Sequence, residues 1–241
     1  MRQTEVRDGR AEDAQTGAQA PAARLLMAST IDGLLEKVSF RAEAGELAVV
    51  YGPAGAGKSA LADVLRLAKR VHSGGFDILG VNAVRLPADR RAKLKRRIGF
   101  IAQSPKLLEH LSAVQNALAP LELARKLVPD DERDAAEAFT YLGLKLRDDR
   151  PVSFLSGSER RRIAVARAVA MRPDILIADE PCAGLAPDAA GRVLKLVLQA
   201  RRSGAAVIVL TQDEDLGASL PGTMWRMSDG ILSPPSEFRA A

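Results

Sequence analysis

The chain has 241 residues, with 35 Lys and Arg against 30 Asp and Glu, a net charge of +5, 47% hydrophobic and 27% charged residues, the balance of an ordinary globular protein. One cysteine, Cys182, and two histidines, His72 and His110, exclude a disulfide framework and a Cys/His zinc cluster and favour a reducing compartment. Apolar runs such as Ala205 to Leu210 fall far short of the roughly 18–20 residues that cross a bilayer, and Met1 to Ala20 has no apolar secretory core, so a cytoplasmic chain is expected.

Residues 1–22 are polar and non-periodic and read as a disordered tail. Leu25 to Ala28 reads as a short strand. Leu35 to Arg41 alternates apolar and polar residues, the pattern of a half-exposed strand. After the turn at Ala44-Gly45-Glu46, Leu47 to Tyr51 is short and apolar enough for a buried parallel strand. A helical pattern follows over Ala60 to Lys69, and Gly74 to Gly80 reads as a strand and turn. The next segment holds Arg85, Arg90, Arg91, Lys93, Lys95, Arg96 and Arg97 against Asp89 alone. Such a run reads as a solvated helix face, with a phosphate or anionic-membrane contact as the alternative. Aromatic residues make up 4% of the chain, too few for single-strand stacking platforms, so no nucleic acid partner is expected.

From Ser104 to Ala170 the pattern is helical, interrupted at Pro105, Pro120, Pro129 and Pro151. Asp174 to Ala178 and Ala205 to Leu210 are two more buried-strand runs, joined by a helix over Pro187 to Arg202. Residues 233–241 read as a terminal tail. Strands alternating with helices predict an α/β fold with a mostly parallel sheet. The helical block, residues 104–170, reads as an inserted subdomain within one domain over 23–232.

Three motifs carry chemistry. Gly52-Pro53-Ala54-Gly55-Ala56-Gly57-Lys58-Ser59 fits G-x-x-x-x-G-K-[ST] between a strand and a helix, the context of a phosphate loop. Glycines let backbone N–H groups converge on phosphate oxygens, and the helix N-terminus adds positive potential. Lys58 is expected to reach the β- and γ-phosphates, and the Ser59 hydroxyl to ligate Mg²⁺. The second motif is an apolar strand ending in Asp179 and Glu180. Alone, such a pair reads as a helix cap or a solvated turn. Beside a phosphate loop, Asp179 is placed to hold Mg²⁺ through water and Glu180 to polarise the attacking water. The third is Leu155-Ser156-Gly157-Ser158-Glu159-Arg160-Arg161-Arg162. Ser156 and Glu159 form a capping box, and the free N–H groups of that helix start also suit a second phosphate.

The phosphate loop, Gln103 after Ile98-Gly99-Phe100-Ile101-Ala102, Leu155 to Arg162 and Ile175 to Pro181 together resemble ABC-type ATPase subunits, over about residues 24–232. The resemblance implies a P-loop NTPase core with a mostly parallel sheet, an N-terminal antiparallel β subdomain and the inserted helical subdomain. It implies ATP and Mg²⁺, with Gly52 through Ala60 around the phosphates. It also implies a head-to-tail homodimer in which Ser156, Gly157, Ser158 and Glu159 meet the γ-phosphate held by the other subunit. Gln103 then contacts Mg²⁺ and the attacking water, and its loop faces a transmembrane partner at the inner face of the membrane. Within the family, Arg96 to Gln103, Glu159 and Met227 to Leu232 look most like the FtsE-type cell-division subunit, which implies a partner of the FtsX type. Lipoprotein-releasing and macrolide-exporter ATPases are near neighbours.

Four positions depart from the family pattern. Gln212 stands where a histidine usually contacts the γ-phosphate. Ala186 stands where an aspartate usually crosses the dimer, with Asp188 two residues on behind Pro187. Ser158 replaces a glycine, a strained choice if that backbone needs positive φ. No aromatic precedes Phe40 to stack on adenine. These departures around an intact phosphate loop predict a slow ATPase, the alternative being a nucleotide-gated switch. A DNA-associated ATPase of the same superfamily is disfavoured, since the chain shows no long coiled coil.

Overall fold

A computed structural model describes residues 22–125, 127–145 and 149–234; the two tails read from the sequence lie outside these residues, apart from Ala22, Ser233 and Pro234. Among the described residues, ten strands form two sheets, with seven α-helices between them along the chain. The antiparallel sheet is built from β1 (Ala23–Ser29), β2 (Val38–Ala42), β4 (Ser73–Ile78) and β5 (Val81–Asn82), in the order β2-β1-β4-β5. The larger sheet, in the order β10-β9-β3-β8-β7-β6, combines β3 (Leu47–Tyr51), β6 (Ile98–Ile101), β7 (Ile175–Asp179), β8 (Ala206–Thr211), β9 (Thr223–Ser228) and β10 (Ile231–Ser233). Its pairs β9-β3, β3-β8, β8-β7 and β7-β6 are all parallel, and β10 closes the edge antiparallel to β9.

Parallel strands covered on both faces must be apolar throughout. In β7 and β8 every residue is buried, and in β3 every residue but Tyr51. One core fills the space between the two sheets around α1 (Lys58–Leu65). The other lies across the large sheet beneath α5 (Gly157–Ala170) and α6 (Pro187–Arg202) and includes residues of α3 (Ala113–Ala124) and α4 (Pro129–Tyr141). Helix α6 buries Ala189, Val193, Leu196, Val197 and Ala200, one stripe at helical spacing. Strand β6 is tied to β7 at its start by Arg97, whose Nε and Nη2 donate to Asp174 at 2.8 and 3.0 Å, a bidentate pair that fixes the register.

Several expected boundaries move. Helix α1 begins at Lys58 rather than Ala60, because Gly57 adopts φ 103 and serves as its N-cap. It ends at Leu65 because Leu67 turns left-handed, φ 61, and Ala68 and Lys69 return N–H bonds to the Asp63 carbonyl. The strand expected over Leu35 to Arg41 is confined to Val38–Ala42. Pro120 does not interrupt its helix but sits inside α3, whereas Pro129 opens α4 at its first turn. The basic segment forms α2 (Ala88–Lys95), which buries only Leu94, as a solvated face requires.

Candidate nucleotide site

Because β3, β6, β7 and β8 run parallel, their C-terminal ends share one edge, with Tyr51 opposite Thr211, Asp179 opposite Leu210 and Ile101 opposite Ala178. The segment after each strand therefore starts from the same edge of the sheet: Gly52–Ser59, Gln103, Glu180 and Gln212. This is the end of a parallel sheet at which ligands bind.

The phosphate loop is a tight fit. A Cβ at Gly52 would stand 2.0 Å from the Met227 carbonyl, and one at Gly57 2.8 Å from the Leu34 carbonyl. Gly55 takes φ 79, open to glycine and strained for other residues. Lys58 is buried and folds back into the loop, its Nζ donating to the carbonyls of Gly52 at 2.6 Å and Pro53 at 2.9 Å. Burial pushes its ammonium below the ordinary lysine range, against the opposing charges of Glu180 and Asp179. The Ser59 hydroxyl donates to Asp179 Oδ2 at 2.9 Å, so the first two chemical motifs touch.

Asp179 is buried, and burial raises its carboxyl pKa despite the Ser59 hydrogen bond and the nearby Lys58 charge. Glu180 follows the strand in left-handed geometry, φ 49, with its N–H on the Leu210 carbonyl at 2.9 Å. Its Oε2 accepts from the Thr211 hydroxyl at 3.4 Å, and its carboxylate also accepts from the Gln212 backbone N–H. Burial is again the main cause of a raised pKa. Oε1 of Glu180 is buried without a hydrogen-bond partner, and an orphaned carboxylate oxygen is expensive unless something in the working state meets it.

These features fit a nucleoside triphosphate with Mg²⁺. The cradle excludes any side chain at Gly52 and Gly57, a buried ammonium sits among carbonyls, and Ser59 and Asp179, in contact, are hard oxygen donors of the kind that Mg²⁺ takes.

The remaining expected residues are placed more loosely. Gln103 is exposed beyond β6, and Gln212 is exposed with its backbone, not its side chain, engaged at Glu180. Ser156 caps α5, with its hydroxyl accepting from the Glu159 N–H at 3.2 Å and the Glu159 carboxylate accepting from the Ser156 N–H at 2.9 Å. Ser156 and Gly157 are exposed, so this helix start faces outward and its capping bonds stay within the motif. Ser158 lies inside α5 in helical geometry, so the strain raised by the sequence does not arise. Ala186 is the N-cap of α6 with no side-chain hydrogen bond, and Asp188 is exposed in the first turn.

Sequence reading missed three contributors. Thr211 directly follows the apolar run Ala205 to Leu210 and carries no motif signal of its own. Arg161 donates from Nη1 to the Glu180 carbonyl at 3.1 Å, a pairing that no local pattern encodes. The β1–β2 loop brings the Leu34 carbonyl against the phosphate loop at Gly57 and carries Ile31, 84% exposed, at its tip.

Comparison with known proteins agrees with this geometry. The family model described as "ABC transporter" matches residues 35–183. The chain is 37% identical over 205 residues to the lipoprotein-releasing system ATP-binding protein LolD of Novosphingobium aromaticivorans, covering 84% of this chain and 91% of that one. It is 33% identical to the macrolide export ATP-binding/permease protein MacB of Syntrophobacter fumaroxidans, over 84% of this chain but 29% of that longer one. An ATP-binding cassette solved as a dimer in a post-hydrolysis state with ADP and Pi superposes with a TM-score of 0.81 at 25% identity, over 91% of this chain and all of the other. The fold is that of the ABC ATPase cassette, and the chain belongs to the ABC transporter family as its ATP-hydrolysing subunit.

Proposed function

We propose that the chain is the ATPase of a membrane exporter of the lipoprotein-releasing kind, closing head to tail with a second copy around two ATP molecules. The observation that carries the nucleotide assignment is the contact of Ser59 with Asp179, 2.9 Å across 120 residues of sequence, beside the buried Lys58. The names of the relatives favour lipoprotein release or macrolide export over the cell-division role that Arg96 to Gln103 and Met227 to Leu232 suggested. The transmembrane partner is read accordingly as an exporter subunit. No helix among the described residues is long and apolar enough to cross a membrane, and the chain is read as peripheral at the inner face.

Lys58 leaves its two carbonyls to meet the β- and γ-phosphates, while N–H groups of Gly55 through Ala60 surround them. Ser59 and Gln103, with Asp179 acting through water, would hold Mg²⁺, which would supply positive charge against the phosphates. Glu180 Oε1 orients the attacking water, its own carboxylate fixed by Thr211 and the Gln212 N–H. The start of α5, with Ser156, Gly157, Ser158 and Glu159, supplies N–H groups to the γ-phosphate held by the other copy. Gln212 offers a neutral amide at the sensor position, which makes the enzyme slow rather than silent, because Glu180 is intact.

Lys58→Ala tests the assignment. Calorimetric titration with Mg·ATP is expected to show at least a hundred-fold weaker binding, since a buried charge-assisted contact contributes about 1.5–3 kcal/mol and Lys58 makes more than one. Parental affinity in the variant would sink the phosphate-loop reading.

A further inference from the structure

The three consecutive arginines of α5 reach three different parts of the molecule. Arg160 pairs with Glu109 in the segment after β6. Arg162 Nη1 donates to the Leu142 and Gly143 carbonyls just beyond α4, at 2.8 and 3.1 Å. Arg161, between them and half-buried, donates to the backbone carbonyl of Glu180. The first two hold the helical subdomain together. The third leaves it and grips the residue that carries the attacking-water carboxylate.

Glu180 depends on such a grip. It lies past the last ladder pair of β7, at Asp179, so its carbonyl is outside the sheet, and its φ of 49 is one that residues other than glycine rarely hold. That carbonyl accepts from Ala183 N–H at 3.2 Å within the following turn and from Arg161. The N–H is fixed by Leu210. The Glu180 Cα, from which the carboxylate side chain leaves, is thus held between its N–H on Leu210 and a carbonyl fixed by one turn bond and one long-range bond. The long-range bond comes from the helix whose exposed N-terminus, at Ser156, starts five residues earlier, about 7.5 Å along the axis.

We propose that Arg161 is a positioning residue that sets the Glu180 peptide and thereby couples the two nucleotide sites of the dimer. This rests on the dimer reading given above. A displacement of α5 when its N-terminus meets the nucleotide held by the other copy is passed by Arg161 to the carboxylate acting on this copy's own nucleotide. Each site then reports its occupancy to the other through one rigid helix, with no contact between the two nucleotides. A helix carrying two functional ends this close together moves as a body, which is what such coupling requires.

The test uses the full chain and compares the parent with Arg161→Met, which keeps the aliphatic stem, and Arg161→Lys, which keeps charge and a donor. Steady-state phosphate release is measured against ATP concentration, with ATP affinity measured separately by calorimetry. For Arg161→Met the expectation is kcat at least ten-fold lower, KM and affinity within two-fold of the parent, and a Hill coefficient falling from above 1.5 towards 1. Arg161→Lys is expected to recover part of both kcat and the Hill coefficient. Parental kcat and Hill coefficient in Arg161→Met overturn the proposal, as does a parent Hill coefficient of 1. Should Arg161→Met melt below the assay temperature, Arg161→Gln replaces it, with the same expectations and the same overturning results. A parent that fails to bind ATP instead removes the nucleotide reading itself, so the two failures are distinct.

Discussion

Two carboxylates, Asp179 and Glu180, are held where burial makes their charged forms costly. Their folded-state pKa values are raised above the unfolded ones, so the folded chain binds these protons more tightly. The stabilisation from this source is present at low pH and is lost as pH rises through the raised pKa, leaving a penalty at neutral pH. Glu180→Gln removes part of that penalty while keeping the shape, and the Thr211 hydroxyl and Gln212 N–H still find an amide oxygen. We expect the nucleotide-free variant to melt above the parent at pH 7.5, with a margin that shrinks as pH is lowered; about 2–4 °C corresponds to each kcal/mol in a chain of this size. Scanning calorimetry across pH 5–8 checks it, and a variant that melts below the parent throughout contradicts it. Gln212 invites the opposite experiment. Its backbone N–H serves Glu180 and its side chain is exposed, so Gln212→His leaves the grip on Glu180 intact and, on the proposed reading, adds an imidazole at the γ-phosphate sensor position. A charge-assisted contact felt only in the transition state contributes roughly 1.5–3 kcal/mol, about ten- to a hundred-fold in rate. Phosphate release should rise by that range with ATP affinity unchanged; a parental rate in the variant contradicts a sensor role for this position.

Helix α6 shows how a functional departure also appears as a local structural one. Ala186 occupies its N-cap and supplies no side-chain acceptor, although Pro187 and Asp188 suit its first turn. Ala186→Asp should return an acceptor to the orphan N–H groups, for about 0.5–2 kcal/mol, read as a melting temperature raised by several degrees. An unchanged melting temperature would show that those N–H groups already have partners. Much of the fold could be read from the chain for the same kind of local reason. β3, β7 and β8 are continuous apolar runs because both faces are covered, and α6 spans Pro187 to Arg202 as its spacing and opening proline dictate. The phosphate loop and the acidic strand were legible because their chemistry is local. β9, Thr223–Ser228, was missed because its burial alternates around polar residues and a neighbouring turn. Pro120 misled because a proline within a helix is tolerated when packing outweighs its lost N–H. Asn116, buried in α3, staples the preceding segment through its Oδ1, which accepts from Leu108 N–H at 2.7 Å, and its Nδ2, which donates to the Leu108 carbonyl at 3.0 Å. Neither it nor Arg161 could be found by spacing, since their partners are set by tertiary placement.

At the scale of the molecule, the parallel sheet gathers the phosphate loop, Asp179, Glu180 and Gln212 at one edge, while Ser156 and Gly157 face outward at the start of α5. On the proposed reading one copy holds a nucleotide from one side only, and the outward helix start, whose Ser156–Glu159 capping bonds stay within the motif, is left for a partner. Under that reading a second copy in head-to-tail orientation would complete both, with ATP as part of the interface, so association should follow nucleotide occupancy. Glu180→Gln should retain the whole phosphate contact set and lose the carboxylate that activates water, holding the closed form. The decisive measurement is size-exclusion chromatography with in-line light scattering on Glu180→Gln, with and without Mg·ATP. The account predicts a monomer without nucleotide and a dimer of twice its mass with Mg·ATP, reverting to monomer when Lys58→Ala is added. A chain that stays monomeric with Mg·ATP bound, or that hydrolyses ATP at the parental rate, would contradict it.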